Sequence, residues 1–411
     1  MNLQQIDQIF KDTAYVRTGG SKEELKCARY LQQKCAEMGA EAYLEPFEVD
    51  MADIQEVKLL IDGKEITCKG YLCSGSGEIE APLYYLTNTD AFSLKQCKGK
   101  IVLSDNGLGY WTYHDILENG AVGFITYDGS VNYADCDIDQ KDLRSYISNG
   151  NKILGVCINA KDAVAIVEGN AKTAKIILKQ NEYKGESNNV ILDLPGETDE
   201  YVLLTAHYDS TSLSTGAYDI MSGSVALLGI ADHFLAKSHR YVLLFIWCGS
   251  EERGLLGVKA YCSAHEEELK KCVLDINLDM LGTIMGKWVA TCTAEEKLVH
   301  YIEYMASEYG MGIEARQDIR SSDSTPISDK GVPSVNFFRV APGNTATIHN
   351  RYDTLKVMSA ERVKADTDFV IAFTEHMVNA KQFPVAREIP ESMKEKIDVY
   401  LNRKRKEDKK K

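Results

Sequence analysis

Two patterns of apolar and polar positions divide the chain. From Asn189 onward come continuous apolar runs, NVILDL, YVLLTAHY, YVLLFIWC, VLDINLDM and PSVNFF, that leave no polar face for water. Runs of that kind are strands buried on both sides. Between them lie segments of helical period near Ser222–Leu235, Gly254–Ala264, Glu295–Tyr309 and Ala360–Lys381. Buried strands alternating with amphipathic helices predict a largely parallel sheet covered on both faces. From about 51 to 185 the pattern changes. Short β-rich runs (VKLLI, ITCKGYL, PLYYL, GKIVLS, GFITY, KILGVCI, KIILK) are cut by Gly, Asn and Asp turns, with one helix at Tyr113–Asn119. An N-terminal helix is marked by Ser21 and Glu24 at capping-box spacing. Cys27, Leu31, Cys35 and Met38 recur along its inner face, and Gly39 stops it.

The fold class predicted is therefore α/β, a mostly parallel mixed sheet covered by helices, with an inserted β-rich domain. Residues 1–50 open the sheet-and-helix domain, 51–185 form the insertion, 186–385 complete the domain, and 386–411 are a C-terminal helix and basic tail. No period of 20–50 residues signals repeats.

Composition narrows the function classes. With 44% hydrophobic and 26% charged residues over 411 positions the chain is globular rather than disordered. A net charge of −14 repels phosphate, so a nucleic-acid partner is not expected. The run Arg403–Lys411, seven basic and two acidic residues, reads as a solvated tail. No apolar stretch approaches the ~20 residues of a membrane span, and the first residues lack the features of a signal peptide. The 11 cysteines are scattered, odd in number and without a CxxC pair, which fits reduced thiols in the cytoplasm.

The candidate chemistry lies where the apolar runs end. Tyr201–Ala206 runs into His207 and Asp209, Tyr241–Cys248 into Glu251 and Glu252, and Val273–Leu278 into Asp279. Asp219 precedes the small-residue helix SGSVALLGIA, and His349 lies in a loop after PSVNFF. Ligands of open α/β sheets bind beyond the carboxyl ends of the strands, so these groups should converge on one crevice. Singly, each has a plain explanation: a Glu pair serves a helix dipole, and Asp219 serves a helix cap. Jointly they form a carboxylate cluster that repels itself unless a cation holds it. Imidazole with carboxylate suits zinc, or less selectively cobalt or manganese. One of the two adjacent glutamates can ligate while its neighbour takes a proton from water. The H-x-D spacing puts Asp209 on the same strand face as His207, where it can orient the imidazole. His114, His233, His239, His265, His300 and His376 lack such a context. Leu269 stands where an HExxH helix opening at His265 would need its second histidine. The absence of GxSxG, of a P-loop and of a strand-linked GxGxxG removes serine-hydrolase and nucleotide-binding readings.

The strings LLTAHYDS, GAYDIMSGSVALL, FIWCGSEERGLLG, NLDMLG and IHNRYDT, in that order, resemble the di-zinc exopeptidases. That family includes the bacterial leucyl aminopeptidases, plasma glutamate carboxypeptidase and the glutamate carboxypeptidase II group. The resemblance runs from RTGGSKEEL to about Lys381, omitting the insertion. It implies two zinc ions, with His207 and Asp279 on one, Glu252 and His349 on the other, and Asp219 bridging. It makes Glu251 the general base and Asp209 the orienting carboxylate. GKIVLSDNG followed by ENGAVGFITYDG resembles a protease-associated domain, which in relatives frames substrate access or oligomer contacts, so a homo-oligomer is compatible with it. The chain departs from relatives at Ile220 (often Asn), Ile348 (Tyr in some carboxypeptidases) and Ser324 (commonly His). Glutaminyl cyclases share the fold, and some relatives are non-catalytic receptors that have lost ligands, but here every ligand position and the base are filled. The function expected is an aminopeptidase acting on short peptides. Arg339, as a partner for a substrate carboxylate, keeps carboxypeptidase or dipeptidase action open.

Overall fold

The computed structural model describes residues 1–104, 108–132 and 138–406. The chain forms two compact units, Met1–Phe47 with Glu186–Lys411, and Glu48–Gly185.

The first unit contains, in chain order, helices α1 (Leu3–Asp12) and α2 (Lys22–Glu37), then β1, the final part of the strand Thr173–Leu194. There follow β2 (Tyr201–His207), α3 (Ser222–Phe234), β3 (Val242–Cys248), α4 (Leu256–Ala264), β4 (Cys272–Leu278) and β5 (Lys287–Cys292). The unit ends with α5 (Glu296–Glu308), β6 (Glu314–Gln317), α6 (Ser324–Asp329), β7 (Ser334–Val340), α7 (Ala360–Val378) and α8 (Glu391–Tyr400). The sheet order is β6-β5-β7-β4-β2-β3-β1. Strands β7, β4, β2 and β3 are mutually parallel, with Cys248 opposite His207, Asn277 opposite Thr205 and Phe337 opposite Leu278. Those four strands therefore end at one edge. β1 and β5 run antiparallel to their inner neighbours.

One face of the sheet carries Val202, Leu204, Leu274, Ile276, Val335 and Phe337 against helices α3 and α7. The other carries Leu203, Leu244 and Ile246 against α4 and the α6 region. Beneath α6 that second face turns polar. Thr205 Oγ donates to Asp275 at 3.0 Å, Asn277 Nδ2 to Thr205 Oγ at 2.9 Å and Asn336 Nδ2 to Ser322 Oγ at 2.6 Å.

Three elements of this unit differ from expectation. Helix α1 precedes the expected first helix and is held by a capping box of Asn2 and Gln5. Strands β5 and β6 were not among the apolar runs, because only alternate residues of β5 (Trp288, Ala290, Cys292) join the main core. Ser21 Oγ caps α2 by accepting the Glu24 N–H at 3.0 Å, but the Glu24 carboxylate does not close the capping box. The described tail residues 403–406 are exposed. Arg403 forks onto Asp329 with two contacts of 2.6 Å, and residues 407–411 lie outside the described residues.

In the second unit the parallel strands Gly77–Leu86, Ile101–Ser104, Gly123–Asp128 and Leu154–Asn159 form the centre, and Cys68–Gly70 runs antiparallel at the edge. The expected single helix is Tyr110–Glu118. A further helix, Ala160–Glu168, is capped by Asn159 and buries Ala163 and Ile166. The Asp105–Gly107 end of the GKIVLSDNG string lies outside the described residues.

Helix α3 lies against β4 at Gly223, where a Cβ would stand 2.3 Å from the Leu278 carbonyl oxygen. Backbone cannot yield as a side chain does. Gly223→Ala is expected to cost about 1–3 kcal/mol, read as a lower midpoint in chemical denaturation, and an unchanged midpoint would contradict this packing.

Candidate metal centre

The candidate groups stand at the carboxyl ends of the parallel strands or in the loops that follow them. His207 is the last residue of β2 and Asp279 follows β4, while Glu251 and Glu252 follow β3 after the Gly249-Ser250 turn. His349 lies in the long loop after β7, and Asp219 lies in the irregular turn that leads into α3. Non-glycine residues in left-handed conformation turn three of these loops: Ser250 (φ 53°), Met280 (φ 53°) and His349 itself (φ 60°).

The structure brings all seven candidates together. His207, Asp219 and Asp279 each offer a ligand atom within 4.8 Å of the others, and so do Asp219, Glu252 and His349. Asp219 belongs to both groups through different oxygens. Its Oδ1 lies 3.4 Å from His207 Nε2 and its Oδ2 lies 3.1 Å from His349 Nε2. Glu252 Oε2 is 3.1 Å from the same His349 nitrogen. Glu251 stands beside the first group, 3.9 Å from His207 Nε2. Asp209 Oδ1 is 3.2 Å from His207 Nδ1, and its carboxylate accepts the backbone N–H groups of Glu251 (2.9 Å) and Glu252 (3.1 Å).

Two cationic residues alter the picture drawn from sequence. Arg339 is buried, with a bidentate pair to Asp366 at 2.7 and 2.6 Å and a bond to the Gly286 carbonyl at 3.0 Å. It is thus neither a surface residue nor a free partner for a substrate carboxylate. Arg320, which the sequence reading did not single out, places Nε 3.2 Å from Asp279 Oδ2 and its guanidinium 3.9 Å from the centre of the Phe338 ring. Its one sequence signal is its position four residues before Ser324, where relatives commonly carry His. Asp353 was also missed. It is fully buried and accepts the N–H groups of Tyr218 at 2.8 Å and Asp219 at 3.1 Å. None of the six other histidines enters these groups. His265, for example, pairs with Glu45 at 2.7 Å and stacks on Tyr261.

The charges are far from their solution behaviour. Burial raises Glu251 well above the usual carboxylate range, with His207 opposing and Glu252 adding to the rise. Burial and Asp219 push Glu252 up to about 7. Burial works against a charge on His349, but hydrogen bonds to Asp219 and Glu252 outweigh it and carry the imidazolium up to about 11. His207 is raised for the same reason, against burial, by Glu251, Asp209 and Asp219. Asp219 is pulled below its ordinary value because the two imidazoles outweigh its burial.

The donor set fits divalent ions. It holds two imidazoles and three carboxylates, and Oδ1 of one of these, Asp279, is buried with no hydrogen-bond partner among the described residues. Nitrogen and oxygen ligands of this kind suit zinc.

The sequence profile of "Peptidase family M28" matches residues 189–374, the segment that carries every candidate residue. That segment is similar to peptidase family M28. Aminopeptidase YwaD of Bacillus subtilis (strain 168) is 28% identical over 412 residues, covering 93% of this chain and 86% of that protein. BSAP, a zinc aminopeptidase from Bacillus subtilis, superposes with a TM-score of 0.76 at 25% identity, covering 95% of this chain and 97% of BSAP. An aminopeptidase from Aneurinibacillus sp. strain AM-1 shares the fold, with a TM-score of 0.75 at 24% identity over 94% of this chain and 96% of that one.

Because ligation needs neutral imidazole, loading this centre must expel the protons that His207 and His349 carry below their raised pKa values. Zinc binding at pH 8 is therefore expected to release protons, and zinc affinity to fall as pH falls. Calorimetry in buffers of different ionisation enthalpy measures this, and an enthalpy that does not vary with buffer would contradict it.

Proposed function

We propose that the protein is a zinc-dependent aminopeptidase that removes the first residue of short peptides. The observation that carries this reading is the split contact of Asp219, one oxygen toward each of two ligand groups, with Glu251 beside them. In this reading His207 and Asp279 hold one zinc ion, Glu252 and His349 the other, and Asp219 both. The relatives named above support the aminopeptidase activity.

When bound, a zinc pair polarises a scissile carbonyl and lowers the pKa of water. The remaining work falls to this chain's own side chains. Glu251 takes the proton of the attacking water and delivers it to the leaving amine as the C–N bond breaks. Its carboxylate stands 3.9 Å from His207 Nε2, beside the first ligand group. Asp209 fixes the tautomer of His207 through Nδ1 and, by holding the N–H groups of Glu251 and Glu252, ties the base to the ligand loop. The acidic surroundings favour a substrate α-ammonium. With Arg339 committed to Asp366, the residue that kept carboxypeptidase action open no longer supports it.

The unit Glu48–Gly185 is read as a protease-associated domain without chemistry of its own. The cytoplasm is the proposed location, because the nine described cysteines other than Cys73 stand in no disulfide. Among the described residues no helix is long and apolar enough to cross a membrane.

Glu251→Gln is expected to keep both zinc ions while kcat falls by about 10²–10⁴, and Asp219→Asn to lose metal. A Glu251→Gln protein with near-normal turnover would remove Glu251 from the mechanism, and full metal occupancy in Asp219→Asn would remove the bridge. Substrate polarity is checked by mass spectrometry of peptides with blocked termini. N-acetylation is expected to stop cleavage and C-terminal amidation to be tolerated, and the reverse result would establish a carboxypeptidase.

A further inference from the structure

The segment from Arg17 to Glu24, outside every ligand group, reaches two of the loops that form the centre. Arg17 is fully buried, and among the described residues the hydrogen bonds of its guanidinium run to backbone carbonyls. Its Nε donates to Tyr208, Nη1 to Thr13, Tyr15 and Thr215, and Nη2 to Gly216. Tyr208, Thr215 and Gly216 belong to the loop between His207 and Asp219. The contact is close. A Cβ on Gly216, which has φ +55°, would lie 2.8 Å from Arg17 Nη2. The backbone N–H of Arg17 also bonds Ser210 Oγ at 3.1 Å, and its carbonyl accepts the Ser210 N–H at 3.2 Å.

Seven residues later, buried Glu24 reaches the other loop. Its Oε1 accepts the N–H of Ser250 at 2.7 Å and the Ser250 hydroxyl at 3.1 Å, while Oε2 accepts the Gly20 N–H at 2.7 Å. Ser250 holds a left-handed conformation immediately before Glu251 and Glu252. Gly19 lets the segment approach, since a Cβ there would stand 2.4 Å from Ser250 Oγ. A helix-terminal glutamate at capping-box spacing has thus been diverted from its own helix to a distant loop.

We infer that Arg17 and Glu24 are positioning residues that fix the distance between Asp219 and the Glu251–Glu252 pair, and so set the affinity of the ion shared by Asp219, Glu252 and His349. Arg17 governs the loop of the shared carboxylate, and Glu24 governs the loop of the base and its neighbouring ligand. The inference rests on the two-zinc reading above. Positioning of this kind predicts unequal effects on the two ions, whereas a purely structural role predicts lower stability with both affinities intact.

The test uses the full chain. Zinc is titrated in competition with a chromogenic chelator so that two affinities are resolved, alongside Tm, and kcat and KM on an amino-acid arylamide. Glu24→Gln places an amide N–H against one of two backbone N–H donors. It is expected to weaken one zinc affinity by about 10- to 100-fold, leave the other unchanged, and lower kcat at saturating zinc with KM held. Glu24→Asp keeps both acceptors but retracts them by one methylene, and should weaken the same affinity if Glu24→Gln does not fold. Arg17→Lys loses the fork and should weaken the same affinity more than the other, and an Arg17→Lys protein with both affinities intact removes Arg17 from the inference. Cys35→Ala, in the buried face of α2, is the comparison: it should lower Tm and leave both zinc affinities unchanged. Glutamate variants that behave like Cys35→Ala overturn the inference. A wild-type chain that binds fewer than two zinc ions overturns the zinc reading instead, and the positioning role with it.

Discussion

The centre depends on buried carboxylates that accept backbone N–H groups at the turns carrying its ligands. Asp209 holds the N–H groups of Glu251 and Glu252, Asp353 those of Tyr218 and Asp219, Glu24 that of Ser250, and Asp366 that of Gly282, three residues after Asp279. None of these four belongs to either ligand group. A charge-assisted bond to a backbone N–H is stronger and shorter than a neutral one. Loops would otherwise be the least defined parts of an α/β fold, and here they are pinned from beneath. The left-handed turn at Ser250 costs of order 1–3 kcal/mol and is held by the Glu24 bond to its own N–H and the Asp209 bonds to the next two.

Electrostatics explains why the arrangement is tolerable. Asp209, Asp219, Glu251, Glu252, Asp279 and Asp323 crowd one end of the sheet. Asp323 rises to about 7, through burial and with Asp209 and Asp279 adding. Separate carboxylates in such surroundings repel strongly. Two imidazoles and the Arg320 guanidinium offset part of the charge, and the rest is a standing demand for cations. Stability and metal binding are therefore one problem in this protein: the order that gathers the ligands also makes the gathered state costly until ions arrive.

The scaffold divides its arginines by the same logic. Arg339 neutralises Asp366, so that carboxylate can hold the turn after β4 without adding to the negative field. Arg17 is spent wholly on carbonyls and stiffens the loop that delivers Asp219. Both are buried, and for both the bonding partner rather than the charge pattern decides the role.

Much of this was legible in the chain itself. Apolar runs flanked by helical period specify buried parallel strands, because no other arrangement hides both faces of each run. Strands that run parallel put their carboxyl ends at one edge, so His207, Glu251, Glu252 and Asp279, each just past a run, had to meet. Their residue types determined metal chemistry. Tertiary structure decided which partner each group received. Arg339 looked free until Asp366, 27 residues away, proved to face it. Glu24 looked like half of a capping box until Ser250, 226 residues away, claimed its carboxylate. Asp353 gave no sign in its own neighbourhood of the turn it supports. Local spacing fixes which side chains share a face or an edge, but a bond between distant segments depends on which loops are brought within about 3 Å of one another. That is set by the packing of the whole sheet and its helices, and no short stretch of sequence encodes it.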